Sequence, residues 1–160
     1  QLPEIVFWTM GGLWGITWSQ ALRTLPIVVP CLVVLYLMRW RLNLLTLEDA
    51  TAFSLGVVPG RERSIVLFAA VIATAVVVSV AGVVGWIGLI VPHLARRWFG
   101  TDTQRALPAA VLLGGIFSLV CDNLARTALP GEIPLGILTS LFGSLLFVLL
   151  MLGSNPWLRR

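Results

Sequence analysis

Charged positions divide this sequence into long apolar runs. Ala21–Met38 carries one charge, Arg23, near its start, while Ser64–Ala95, Ala106–Cys121 and Ile133–Leu158 carry none. A membrane-crossing helix takes about 20 apolar residues, so runs of this kind read as spans. Ser64–Ala95 is too long for one. As a single helix it would reach about 48 Å, against a hydrocarbon core of about 30 Å. It contains Ala81-Gly82-Val83-Val84-Gly85, which offers a tight turn. The pattern therefore predicts five transmembrane helices, over 21–39, 63–81, 84–98, 106–125 and 133–153. The expected fold class is an all-α polytopic membrane helix bundle with a short extra helix in the 40–62 loop.

Composition supports that class. Of 160 residues, 58% are hydrophobic and 11% charged, where a soluble domain carries about 25% charged. The net charge of +4 comes from eleven arginines against seven acids. These arginines punctuate apolar runs instead of sharing one face, so no nucleic acid is expected as a partner. With five spans, Arg39, Arg41, Arg61, Arg63, Arg96, Arg97, Arg105, Arg159 and Arg160 fall on one side, and only Arg23 and Arg126 on the other. The positive-inside rule makes the arginine-rich side cytoplasmic. Residues 1–20 then form an extracytoplasmic segment with the end of a preceding span, and 154–160 a cytoplasmic tail. Trp8, Trp14 and Trp18 mark the outer interface, Trp40, Trp98 and Trp157 the inner one. The start at Gln1, without a basic leader or cleavage site, reads as a fragment whose earlier spans are absent.

Other patterns speak of packing. Small residues recur at helical spacing at Gly11/Gly15, Gly82/Gly85/Gly88, Ala110/Gly114 and Gly136/Ser140/Ser144, where membrane helices can approach closely. The 84–98 helix is short for a lipid-exposed span and is expected inside the protein, where Pro92 can be accommodated. Cys31 and Cys121 lie far apart in apolar runs and read as small buried hydrophobes.

The 40–62 loop is longer than a hairpin needs. Leu44, Leu47, Thr51 and Leu55 can share one helical face, with Thr46 as cap, Glu48 and Asp49 in the first turn and Gly56 at the end. Such a helix could be gripped by a soluble motor subunit, or could rest on lipid headgroups. The residues alone leave both readings open.

Several segments resemble one family in combination. The run Gly85-Trp-Ile-Gly88-Leu-Ile-Val-Pro92-His93-Leu-Ala-Arg-Arg97 is similar to the Gly-Phe-Val-Gly-Leu-x-x-Pro-His-x-x-Arg signature of FecCD-family ABC transporter permeases. Leu107-Pro108-Ala109, Asp122-Asn-Leu-Ala-Arg126 and Glu132-Ile-Pro134-Leu-Gly136-Ile-Leu-Thr139 resemble further family segments in the same order, as do Met10-Gly-Gly-Leu-Trp-Gly15 and Ser54-Leu-Gly56. The resemblance covers essentially the whole chain, as the C-terminal half of a ten-helix permease subunit. It implies import of an iron-siderophore, haem or similar metal chelate across the inner (plasma) membrane, with the C-terminus cytoplasmic. Cobalamin or a molybdate-type oxyanion is an alternative cargo. Implied partners are a second permease subunit, a cytoplasmic ABC ATPase dimer, an extracytoplasmic solute-binding protein and membrane lipid. ATP and Mg would bind the ATPase, leaving this chain without catalytic residues, metal or cofactor.

By the same resemblance, Leu47, Glu48, Asp49, Ala52, Leu55 and Gly56 would form the ATPase coupling surface. Arg126 and Glu132 would dock the solute-binding protein. A forked arginine suits a partner carboxylate, although an i,i+4 pair with Asp122 is an equally physical use for Arg126. Gly85, Gly88, Pro92, His93, Asp122, Pro134 and Gly136 belong to structural motifs. Where family members have Gly-Ala-Pro in the last helix, this chain has Gly143-Ser144-Leu145, and Glu48 and Phe53 replace a usual Gly and Arg in the coupling loop. Half of a secondary, ion-coupled transporter is a rival reading, but it calls for charge near mid-membrane. The spans here carry none.

Overall fold

A capping box starts the first long helix. Thr17 Oγ1 accepts the Gln20 N–H, and Gln20 Oε1 accepts the Thr17 N–H at 2.9 Å, closing two of the donors that a helix start leaves open. In this computed structural model, which describes residues 8–13, 15–127 and 134–154, the order of helices is α1 (Trp18–Leu37), α2 (Arg39–Leu44), α3 (Asp49–Ser54), α4 (Pro59–Ala81), α5 (Ile87–Phe99), α6 (Thr103–Thr127) and α7 (Leu135–Ser154). The described residues contain no strand. The fold is an all-α membrane bundle. α1, α4, α6 and α7 are each long and apolar enough to cross a bilayer.

The helices pack in two groups. α1 lies along α4, and α5 lies along α6 with α7 against both. No residue of α1 is buried, so its apolar side chains beyond the α4 contact face outward. α5 is the inner helix of the second group, with Ile90 and Ala95 fully enclosed and Val91 nearly so. Its 13 residues span only about 20 Å, too short to cross alone.

α5 begins three residues later than the apolar pattern suggests, for a backbone reason. α4 stops at Gly82, which has φ +71, and the chain stays non-helical to Trp86, at φ +65 the single described non-glycine residue with positive φ. Trp86 then anchors the start of α5 by packing edge-on against Phe147 of α7, 6.3 Å between ring centroids.

Close backbone contact closes the end of the bundle where α4 stops. The Gly12 N–H donates to the Ala81 carbonyl at 2.8 Å, and the Gly136 N–H to the Met10 carbonyl at 3.1 Å. The segment around Met10 thus bridges the end of α4 and the start of α7. A Cβ on Gly136 would stand 2.1 Å from the Met10 oxygen, so only glycine fits. Gly15, Gly85 and Gly88, also at helical spacing, have nothing within 4 Å of a Cβ position. Among the described residues their small size is not used for packing. Cys121 is buried and Cys31 half-buried, both as free thiols.

Candidate functional site

At the opposite end, residues 39–63 form a short folded segment across the bundle. α2 follows α1 directly, and a turn leads to α3. The expected cap, Thr46, does not cap α3. Its hydroxyl donates back to the Asn43 carbonyl at 2.7 Å, and Glu48 takes the cap position without a side-chain bond. Threonine satisfies a nearby carbonyl as readily as a downstream N–H, and here the preceding turn wins. Gly56 does end α3. At φ +81 its N–H bonds the Phe53 carbonyl while the Val57 N–H reaches back to Ala52, the paired closure in which a left-handed glycine costs nothing.

This closure decides what the segment shows to its surroundings. Ala52 is fully buried and Val57 nearly so, while Leu47, Phe53, Leu55 and Val58 are exposed at 41%, 67%, 55% and 51%. Leu44 belongs to the separate helix α2, not to the face of α3. The exposed surface is therefore an apolar ridge, and Phe53 is its most exposed member. Sequence reasoning noted Phe53 only as a departure from the family pattern, because it sat off the assumed apolar face. Glu48, Asp49 and Gly56 are exposed beside the ridge.

Polar side chains tie the segment to the spans. Arg41 of α2 forms an ion pair with Glu62 in the first turn of α4, and Glu62 is only 6% exposed. Arg63 holds Asp49 at 2.8 Å and also reaches the Leu45 carbonyl. Asn43 turns to α6: its Nδ2 donates to Asp102 Oδ1 at 2.6 Å, and its Oδ1 accepts the Thr103 N–H at 2.9 Å. These bonds hold Asp102 below the usual carboxylate range. The Asn43 side chain is the main cause, followed by the Gln104 N–H, with the charge of Arg105 adding to them against a small opposing cost of burial. Arg41 and Arg63 entered the sequence reading only through the side on which their charge falls, and Asn43, Glu62 and Asp102 were given no role. Charged and amide residues in a membrane-edge loop look like ordinary interfacial residues until their partners are seen.

Asp122 and Arg126 lie at the far end of α6. They pair at 2.8 Å, Arg126 Nε to Asp122 Oδ2, with Asp122 mostly enclosed and the Arg126 side chain 53% exposed. The intrahelical bond expected from the i,i+4 spacing is made, and it leaves the Arg126 side chain half exposed. Glu132 lies outside the described residues. Pro134 is buried, Pro92 is half-buried in α5, and His93 is exposed. On the same helix, Arg97 Nη1 donates to the Leu150 carbonyl of α7 at 3.0 Å. Among the described residues no group of three His, Cys, Asp or Glu could hold a metal ion. Two clefts are lined mainly by apolar side chains. One of about 600 Å³ lies between α1 and α4 around Pro30, Cys31 and Phe68, and one of about 490 Å³ between α1 and α6 around Val33, Tyr36 and Pro108.

Four apolar helices of membrane-spanning length, with a tethered apolar surface at one end of the bundle, define a polytopic membrane protein. The chain belongs to the FecCD transport family, which matches residues 1–153. It is 43% identical over 148 residues to the Fe(3+) dicitrate transport system permease of Escherichia coli, covering 92% of this chain and 45% of that protein. It is 40% identical over 151 residues to the molybdate import system permease of Haemophilus influenzae, covering 94% of this chain and 45% of that one. A solved inward-facing conformation of a metal-chelate type ABC transporter superposes with a TM-score of 0.90 at 40% identity, over 94% of this chain and 49% of the solved one. The chain thus spans about half the length of the relatives it matches.

Proposed function

We propose that this chain is part of the permease subunit of an ABC importer for a metal chelate, with iron complexes the favoured cargo. The similarity to the dicitrate permease and to the metal-chelate transporter carries that reading. The apolar ridge of Leu47, Phe53, Leu55 and Val58 is its structural support. In water such a ridge is costly, and a surface of this kind flanked by Glu48 and Asp49 fits a groove on a partner protein. The partner would be the cytoplasmic ATPase, whose closure would move α2 and α3. The bundle would sit in the inner membrane with this end, the one rich in Arg39, Arg41, Arg61, Arg63, Arg96, Arg97 and Arg105, facing the cytoplasm. Arg126 would then face outward to the solute-binding protein. A second permease subunit would complete the pathway.

An oxyanion cargo is the second reading, favoured by the molybdate permease, which is 40% identical over nearly the whole of this chain. Uptake of a labelled iron chelate and of labelled molybdate by cells carrying the complete transporter separates the two. Accumulation of neither would sink both. Leu55→Asp tests the ridge. ATPase copurification and uptake should both be lost, and retention of both would show that the ridge contacts something else.

A further inference from the structure

The first turn of α6 is capped by two side chains, and one of them belongs to another element. Asp102 caps its own helix by accepting the Gln104 N–H at 3.0 Å. The Thr103 N–H, one of the donors a helix start leaves open, is taken at 2.9 Å by Asn43 of α2. The same amide donates to Asp102 at 2.6 Å, so both ends of Asn43 are fixed. An amide held at donor and acceptor together cannot rotate without losing both bonds. α2 is thereby tied to the head of α6 through both ends of one side chain.

α6 is 25 residues long, about 37 Å, which exceeds the hydrocarbon thickness of about 30 Å. Its far end carries the Asp122–Arg126 pair. The segment that bears the apolar ridge is thus clamped to one end of a helix, continuous through Pro108, whose other end holds the exposed arginine. Arg41 clamps the same helix α2 to Glu62 of α4, but α4 ends at the glycine junction and carries no exposed cation there.

We propose that Asn43 is a positioning residue for coupling: it joins the ridge segment to α6, so that docking at Arg126 is felt by the ATPase through that helix. This rests on the assignment of the ridge to the ATPase and of Arg126 to the solute-binding protein. Asn43 itself touches neither partner. It acts by holding the head of α6 in register with α2.

The chemistry allows a swap. In Asn43→Asp a carboxylate faces Asp102, and the two repel. Adding Asp102→Asn restores one donor facing one acceptor, and position 43 still accepts the Thr103 N–H. Because Asp102 Oδ1 takes both the Asn43 amide and the Gln104 N–H, the swap gives up the Gln104 bond, which lies outside the link between α2 and α6. Asp102→Asn alone keeps every bond and removes only the charge.

The test uses the complete transporter, permease with its own ATPase in liposomes, assayed with and without its solute-binding protein. Asn43→Asp should leave basal ATPase activity unchanged and cut stimulation by the binding protein about fivefold or more, the usual scale of coupling between distant sites. The swapped pair should regain wild-type stimulation, and Asp102→Asn should never lose it. Wild-type stimulation in Asn43→Asp would overturn the proposal. So would an equal fall in basal and stimulated rates, which marks a residue that only holds the fold. If Asn43→Asp fails to assemble, the swapped pair decides: assembled but unstimulated, it also overturns the proposal. A wild type that no binding protein stimulates, or an Arg126→Glu transporter stimulated as well as wild type, removes the functional reading itself.

Discussion

The carbonyl oxygen of Trp8 lies 2.0 Å from the point where a Cβ on Gly82 would stand. Gly82 also has φ +71. A side chain there meets backbone that cannot yield, in a conformation, with ψ −168, that is essentially glycine-only and costs an L-residue about 1–3 kcal/mol before any clash. Gly82→Ala should therefore lower the thermal midpoint of the purified protein in detergent by more than strain alone explains, and reduce its yield. An alanine variant as stable as wild type would mean that the 8–12 segment can lift away from α4.

Two other glycines give opposite expectations. A Cβ on Gly143 would lie 2.7 Å from the Trp86 Cβ and 2.8 Å from Ile90 Cδ1, whereas one on Gly114 would meet Val91 Cγ1 at 3.6 Å, ordinary contact. Overpacking costs about 1–3 kcal/mol, while a helical Gly→Ala gains up to about 1 kcal/mol. Gly143→Ala should lower the unfolding midpoint and Gly114→Ala should hold or raise it. The order of the two midpoints is the measurement.

Glu62 and Arg41 should respond unequally to removal. The Glu62 side chain is 8% exposed and that of Arg41 50%, and Glu62 Oε2 has no hydrogen-bond partner. Arg41→Ala strands a buried carboxylate, at about 1–3 kcal/mol or more. Adding Glu62→Gln to Arg41→Ala should recover part of that loss. Denaturation of the two variants checks this, and a double variant less stable than Arg41→Ala would contradict it.

Acid should loosen the clamp at α6. Asp102 is held below the usual carboxylate range, first by Asn43 and then by the Gln104 N–H. A depressed folded-state value contributes stability that is present above the unfolded value and is lost as pH falls through the folded one. Asn43→Ala removes the largest cause. The stability difference between wild type and Asn43→Ala should shrink as pH drops below the usual carboxylate range, and thermal scans along a pH series would reveal it.

Much of the helical architecture was legible because membrane solvent leaves few choices. Backbone groups in lipid must bond within the segment, so uncharged runs could only be helices. The all-α class followed from this, as did a helix break near Gly82. The start of α5 was not legible, since the left-handed conformation of Trp86 has no sequence mark. At the candidate site, Gly56 could be read because a left-handed terminator favours glycine. Thr46 was misread because a hydroxyl can bond forward or back with similar ease. The exposure of Phe53 and the reach of Asn43 to Thr103, some 60 residues away in sequence, depend on tertiary placement. Periodicity has nothing to say about either.

The bond from Gly136 to Met10 sets a condition on how the chain is made. Residues near the start of this segment are held by the first turn of the last helix and by the end of α4. During synthesis the chain emerges N-terminus first, so α1 through α6 are made while the Met10 carbonyl still lacks its partner. The bundle can close this end only after α7 has been made. A chain arrested before that point holds Met10 through the end of α4 alone, with its carbonyl still open to other donors.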